Sequence, residues 1–339
     1  MPAALTQLWY GNARGAALLA PLASVYGAVM SVRARAYDLG MLRRYGVGSP
    51  VVVVGNLTVG GTGKTPLVAW LARELTKAGY RVGILSRGYG SRARVPRLVA
   101  AGAHWQDVGD EPLWLAQSTG CVTAVGTDRV AAGRLLSVEG VNVIVSDDGL
   151  QHLRLASDCR IVVVDGERGF GNGRLLPAGP LREPIAALSR ADAVIVNGAA
   201  PAAVLGSSVP AGAALIEMQL VPSAACALAG RARRTLESFR GAPLHAVAGI
   251  GNPARFFRML RSCGLEVVEH AFPDHHPLVA RDLEFGDDLQ VLMTEKDAVK
   301  CRAFARARLW YVPVAAQFTG AAAQELLARV IARLKGYRR

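Results

Sequence analysis

Aromatic residues are scarce in this 339-residue chain, at 6%, and no basic stretch interleaves with them. Stacking on single-stranded nucleic acid therefore has little support, and no nucleic-acid partner is expected. Cysteine is sparse too: Cys121, Cys159, Cys226, Cys263 and Cys301 stand far apart, with no C-x-x-C spacing. An odd, scattered set argues against a disulfide framework or a zinc site and for a reducing compartment. Acidic charge is short, with 26 Asp and Glu against 39 Lys and Arg, a formal net charge of +13. That balance suits an anionic partner, such as an acidic phospholipid or a phosphorylated substrate. No internal repeat is found, and no obligatory protein partner is implied. With half its residues apolar, the chain is globular and long enough for two ordinary cores.

Uncharged stretches of membrane-relevant length are equally rare. Gly15–Val32 holds 18 residues without a charge, between Arg14 and Arg33. Eighteen is the lower edge of a bilayer span, and Pro21, Gly27 and two serines interrupt it. On a helix, Leu18, Leu22, Val25, Val29 and Val32 share one side; Ala16, Ala20, Ser24, Gly27 and Ser31 share another. Arg33, Arg35, Arg43 and Arg44 follow, as expected beside an anionic cytoplasmic surface. Three placements are open: in the interface, across the bilayer, or packed on the protein. Export as a signal peptide fits poorly with the scattered thiols.

What is present in strength is one run, Val51–Leu67 (VVVVGNLTVGGTGKTPL). Four valines read as a buried strand, followed by a glycine-rich turn and an amphipathic helix. In that context backbone N–H groups cradle nucleotide phosphates, Lys64 reaches the β/γ-phosphates, and the Thr65 hydroxyl ligates Mg²⁺. The loop comprises Thr58, Val59, Gly60, Gly61, Thr62, Gly63, Lys64 and Thr65, with Thr58 where G-x-x-x-x-G-K-[ST] has its first glycine.

From residue 50 strands and helices alternate. Strands are expected at Val51–Val54, Arg81–Leu85, Cys121–Val125, Val141–Val145, Ile161–Val164 and Ala193–Val196. Helices are expected at Pro66–Lys77, from Pro112, and at Asp128–Val138 with Thr127 as N-cap. Continuous apolar strands separated by helices imply a doubly wound parallel sheet, with ligands beyond the carboxyl ends of its strands. Lys64, Arg87, Asp147, Asp148 and Asp165 all fall there. An Ala/Pro/Gly/Ser-rich stretch around Ala199–Ala214 reads as a linker. A second alternation follows, with strands at Leu244–Ile250, Glu266–Phe272, Leu289–Met293 and Leu309–Val314, and helices at Pro253–Cys263 and Ala321–Leu334. The expected organisation is an N-terminal membrane-associated helical segment (1–45), a P-loop nucleotide-binding domain (46–200), a linker region (201–240) and a smaller α/β lobe (241–339).

Further chemistry-bearing residues cluster at strand ends. Asp147 and Asp148, with Gln151 and His152 just beyond, suit the second protein anchor of a phosphate-bound Mg²⁺. Asp110 and Glu111 open a helix, where Asp110 is either a cap or a base. Asp274, His275 and His276 sit in a Pro-bounded turn and suit proton abstraction, metal binding or a solvated turn. Arg87 can neutralise phosphate charge. Lys296 and Asp297 end a strand, where they contact a purine base or close a salt bridge between lobes.

These pieces together resemble the tetraacyldisaccharide 4′-kinase family of Gram-negative bacteria over nearly the whole chain. The resemblance rests on Leu18–Arg44, Gly55–Thr65 (GNLTVGGTGKT), Leu85–Gly90 (LSRGYG), Gly109–Pro112 (GDEP), Asp147–His152 (DDGLQH), Asp165–Gly166, Asp274–His275 and Thr294–Lys300 (TEKDAVK). The family itself carries Thr or Ser at the Thr58 position. It implies γ-phosphoryl transfer from ATP to the 4′-hydroxyl of a tetraacylated glucosamine disaccharide 1-phosphate, at the cytoplasmic face of the inner membrane. Carried over, Lys64 and Thr65 match phosphate and Mg²⁺ contacts. Asp147 and Asp148 match the acidic pair, with Gln151 and His152 beside them. Asp110 and His275 match the pair that activates the acceptor hydroxyl, with Glu111 and Arg87 as neighbours. Because Asp110 and His275 lie in different lobes, closure is expected to assemble them. The rival reading is a P-loop ATPase or GTPase switch, or a metallochaperone-type hydrolase, which leaves Gly15–Val32 and the His275 turn unused.

Overall fold

The computed structural model describes residues 3–11, 14–198, 209–210 and 212–337. Two sheets organise it. The first has nine strands in the order β15-β8-β7-β6-β1-β5-β2-β4-β3. Its elements are β1 (Val51–Gly55), β2 (Val82–Ser86), β3 (Arg97–Leu98), β4 (Val122–Val125), β5 (Val143–Asp147), β6 (Cys159–Asp165), β7 (Ala193–Asn197), β8 (Ala214–Pro222) and β15 (Val314–Phe318). All neighbours pair parallel except β3 with β4 and β15 with β8. β1 lies in the middle, and Val51–Val54 are all buried because helices cover both faces of a parallel sheet. Each such valine stabilises the fold by about 1.5–3 kcal/mol.

Helices α1 (Ala3–Tyr10) and α2 (Ala20–Asp38) precede this sheet. Helices α3 (Lys64–Lys77), α4 (Trp105–Val108), α5 (Asp110–Thr119) and α6 (Arg129–Val138) alternate with its strands. α3 begins two residues earlier than its amphipathic pattern suggests, and buries Leu67, Leu71 and Leu75 at four-residue spacing. α6 is capped by Asp128, not Thr127. The Asp128 carboxylate accepts from the Val130 and Ala131 amides at 3.0 and 3.1 Å, a reach that fits the residue directly before the helix.

The second sheet has the order β10-β9-β14-β13-β11-β12. It comprises β9 (Ala225–Ala227), β10 (Arg233–Arg234), β11 (Leu244–Ala248), β12 (Val267–Ala271), β13 (Val291–Thr294) and β14 (Leu309–Val312), with α7 (Pro253–Ser262) and α8 (Glu295–Cys301). The last helix, α9 (Ala322–Lys335), returns to the first core through Leu326, Val330 and Leu334.

Two expected boundaries need correction. Much of the anticipated linker, 199–208 and 211, lies outside the described residues. The rest of 201–240 is not a linker: β8 joins the first sheet, and β9 and β10 the second. The expected strand Leu309–Val314 splits at Pro313, which has no N–H for a ladder, into β14 of one sheet and β15 of the other. The smaller lobe thus spans 225–312, and the chain from 314 onward belongs to the P-loop lobe. The two crossings lie side by side, with the Ser223 amide donating to the Pro313 carbonyl at 2.9 Å.

Candidate active site

The register of the first sheet sets the phosphate end of the site. Val54 pairs with Asp147, so the carboxylate closing β5 lies beside the last residues before the glycine-rich loop. Gly63, at φ +91°, turns that loop into α3, and the Asn197 side chain holds it by donating to the Thr62 carbonyl at 2.9 Å. The whole loop, Thr58 to Thr65, lines one cavity of about 570 Å³. Arg87, Glu111, Asp147, Asp148, Lys296 and His275 line the same cavity, whose far wall belongs to the smaller lobe.

Lys64 Nζ donates to Asn56 Oδ1 at 3.0 Å and lies 3.5 Å from Asp148. The two adjacent aspartates divide sharply. Asp148, expected as a metal ligand, is committed elsewhere: Arg182 donates to both of its oxygens, at 2.8 and 3.0 Å. Burial opposes its ionisation, but Lys64 and Arg182 hold the carboxyl well below the usual range. Its backbone is also left-handed, at φ +50°. Asp147 accepts from the Thr65 hydroxyl at 3.4 Å through Oδ2, while buried Oδ1 has no partner among the described residues. Burial first, then the nearby Glu111 charge, push Asp147 up to about 7. An orphaned carboxylate oxygen beside a threonine hydroxyl is the donor set a phosphate-bound Mg²⁺ would complete.

The other end of the cavity belongs to Asp110 and His275. Asp110 is the first residue of α5, whose N-cap is Gly109, and its Oδ1 accepts the Glu111 amide at 2.8 Å, so it is not the cap the sequence left open. His275 reaches across from the turn after β12, with Nδ1 2.9 Å from Asp110 Oδ1. It sits at φ +62°, an unusual backbone for a non-glycine residue that aims its ring at the cavity. His276 turns away, stacking on Phe272 and pairing with Asp282 at 3.1 Å. Burial disfavours both charges of the pair. The His275 contact and the Lys296 and Lys300 ammonium groups nevertheless hold Asp110 well below the carboxylate range. Burial is the largest influence on His275 and lowers it, but the Asp110 hydrogen bond with the Asp110 and Glu111 charges together raise it above its ordinary value. Asp110 and His275 already meet at 2.9 Å, so in this structure the pair is assembled without the further closure expected from the sequence.

Gln151 and His152 do not line the cavity. The turn after Asp148 bends behind the glycine-rich loop, where Gln151 donates to the Asn56 carbonyl and to Glu183. Burial, with Arg129 and Arg87 nearby, pushes His152 down to about 4. Lys296 closes the lobe–lobe salt bridge that its sequence position left open, donating to Glu111 at 3.0 Å and Asp274 at 3.1 Å. Asp165 is likewise interlobe, accepting from Arg255 at 2.7 Å.

Three residues at the site escaped the sequence reading. Arg129 is buried, donates once to the Asp147 carbonyl, and leaves Nε and Nη1 without partners. Asn252 lines the cavity above the glycine-rich loop, and both of its side-chain polar atoms are buried with no partner among the described residues. Arg182 lies 34 residues from Asp148 in sequence. Each occurs in a stretch that reads only as a helix start or loop, and no spacing flags it.

A glycine-rich phosphate loop facing a hydrogen-bonded Asp–His pair across one cavity defines a P-loop nucleotide-binding protein of the kinase type. The model of the tetraacyldisaccharide-1-P 4′-kinase family matches residues 15–332. The tetraacyldisaccharide 4′-kinase of Alkalilimnicola ehrlichii is 53% identical over 317 residues, covering 93% of this chain and 92% of that protein. Its Xanthomonas campestris pv. campestris counterpart is 48% identical over 336 residues, covering 95% and 94%. The crystal structure of LpxK from Aquifex aeolicus in complex with ATP superposes with a TM-score of 0.78 at 28% identity, covering 94% of this chain and 99% of that one. The chain belongs to the tetraacyldisaccharide 4′-kinase family.

Proposed function

We propose that this chain transfers the γ-phosphoryl group of ATP to the 4′-hydroxyl of a tetraacylated glucosamine disaccharide 1-phosphate. One observation carries this reading: a single cavity holds the phosphate loop at one end and the Asp110–His275 pair at the other. A hydrolytic switch has no use for a base aimed at a second substrate. Lys64 and Arg87 would neutralise the transferring phosphoryl group, whose charge dominates such a transition state. Thr65 and Asp147 would hold Mg²⁺, which supplies further neutralisation when bound. His275, with Nδ1 toward Asp110, presents Nε2 to the cavity, where it takes the hydroxyl proton as that oxygen attacks phosphorus. Asp110 stays ionised and stabilises the imidazolium.

Membrane docking belongs to the same proposal. No helix of the described residues is long and apolar enough to cross a bilayer. Instead α2 packs one side on the P-loop lobe, with Ala23 buried and Tyr26 donating to the Arg182 carbonyl. Its other side exposes Leu22, Val25, Val29 and Val32 by 59–67%, with exposed Leu18 just before the helix and exposed Leu39 and Met41 after it. An apolar stripe flanked by arginines suits a helix lying in the interface, at the cytoplasmic face of the inner membrane.

The deciding experiment follows label from γ-labelled ATP into tetraacyldisaccharide 1-phosphate in detergent micelles. Labelled lipid formed by the wild type and lost in Asp110→Ala and Lys64→Ala is the expected result. ATP turnover without labelled lipid would overturn it. Flotation with anionic vesicles tests docking: Leu22→Asp/Val29→Asp should stay in the bottom fraction, whereas wild-type-like flotation removes the stripe from the mechanism.

A further inference from the structure

Beneath the Asp110–His275 pair lies a buried cation whose spacing resembles an ordinary helix residue. Lys300 sits on α8 with its side chain fully excluded from solvent, 2.9 Å from Asp297 Oδ1 and 3.2 Å from Asp110 Oδ2. Burying an ammonium group is costly unless its partners are fixed, and these are. Asp297 is itself anchored, accepting the Thr294 hydroxyl at 2.6 Å and the Gly249 amide at 2.8 Å through Oδ2. Gly249 also accepts the His275 amide through its carbonyl, so one short network ties Lys300 to the backbone of the histidine turn.

The geometry assigns each Asp110 oxygen a task. Oδ1 accepts the Glu111 amide and lies 2.9 Å from His275 Nδ1, which also stands 3.2 Å from Oδ2, the oxygen that faces Lys300. A carboxylate pinned on both sides cannot rotate, and it fixes the tautomer with Nδ1–H toward itself. Nε2 then carries the lone pair that faces the cavity. One turn earlier on α8, Lys296 Nζ stands 3.4 Å from that Nε2.

We propose that Lys300 is a positioning residue for phosphoryl transfer, clamping the Asp110 carboxylate so that His275 presents Nε2 to the acceptor hydroxyl. This rests on the reading of Asp110 and His275 as the base. Lys300 itself reaches neither the cavity nor a reacting atom; it acts through Asp110. Its charge has a second effect. The groups facing His275 are Asp110 and Glu111 on α5, Lys296, Asp297 and Lys300 on α8, Asp274 in its own turn, and the Tyr89 ring. Four are carboxylates and two are cations. Removing Lys300 leaves this ring more negative, so the imidazole binds its proton more tightly and is protonated at a higher pH.

The test is the pH profile of kcat for lipid phosphorylation by the full chain in micelles. Activity requires neutral His275, so kcat falls on the acid side as the imidazole takes a proton. In Lys300→Gln the acid limb should move up by roughly one pH unit, with kcat down about 30-fold or more at its optimum and the ATP KM nearly unchanged. Lys300→Arg should keep the limb in place. If Lys300→Gln does not fold, Lys300→Met fills the same buried volume without a charge, and its acid limb should likewise move up. A merely structural lysine would lower the amount of active enzyme and leave the limb where it was, which overturns the proposal. Asp110→Asn and His275→Ala run alongside: full transfer by both would instead overturn the base reading on which the proposal rests.

Discussion

The two ends of the cavity are built on opposite principles. At the phosphate end, buried polar atoms have no partner among the described residues: Asp147 Oδ1, Arg129 Nε and Nη1, and both polar atoms of Asn252. At the base end, Asp110, His275, Lys296, Lys300, Glu111 and Asp297 are all paired within 3.4 Å. An unpaired buried polar group costs about 1–3 kcal/mol, which a fold retains only where something repeatedly fills the gap. A triphosphate with its cation brings the matching charges. A neutral sugar hydroxyl brings none, so the base must be poised by the protein itself. One end is completed by its ligand and the other is complete beforehand.

The largest effects should separate the ends by readout. Lys64→Ala should lower lipid phosphorylation about 10³-fold or more and abolish the rise in Tm that Mg·ATP gives the wild type. His275→Ala should lower transfer by about 10²–10⁴-fold while keeping that rise. Differential scanning fluorimetry beside the transfer assay reads both quantities. If His275→Ala lost the ATP response as fully as Lys64→Ala, the ends would not be independent.

Asn252→Ala makes the contrast sharper at lower cost to activity. Both amide atoms lack partners, so truncation should leave stability without nucleotide unchanged or raise it by about 1 kcal/mol. The same change should weaken ATP binding by about tenfold, measured by calorimetry. A stability loss with unchanged affinity would mean the amide has a structural partner, and would erase the asymmetry at this position.

The same asymmetry explains what the sequence disclosed. The phosphate end is local: a strand, a turn and a helix start within Val51–Thr65, each with its own residue chemistry, announce themselves without neighbours. The base end joins residues 165 apart, for Asp110 and His275, and 185 apart, for Glu111 and Lys296. Nothing in GDEP or PDHH says that they meet. That pairing was available only through family resemblance. Lys300 was in view within TEKDAVK, four residues from Lys296, yet a helical lysine reads as solvated until its burial is known. The lobe boundary was misplaced because only Pro313 at one crossing, and Ser223 and Ala224 at the other, separate the two sheets, and composition averages over such points.

The smallest expected effect tests the comparison through two histidines with opposite pH signs. His152, behind the phosphate loop, is pushed down to about 4 by burial and by Arg129 and Arg87. An unfolded histidine takes a proton near 6.5, so this site favours unfolding progressively as pH falls from above 6.5 toward 4. His275 is raised instead, so its contribution is fully present below pH 6.5 and fades as pH rises through its folded value. Urea unfolding at pH 5, 6, 7 and 8 should show His152→Gln gaining on the wild type as the medium becomes acidic. His275→Gln should show its largest deficit at the acid end and approach the wild type at pH 8. Phosphates bound in the loop add negative charge beside Arg87, one of the cations that lower His152, and should shrink the first trend. Parallel pH trends in the two variants would mean that both ends sit in the same electrostatic environment, contrary to the pairing seen around Asp110.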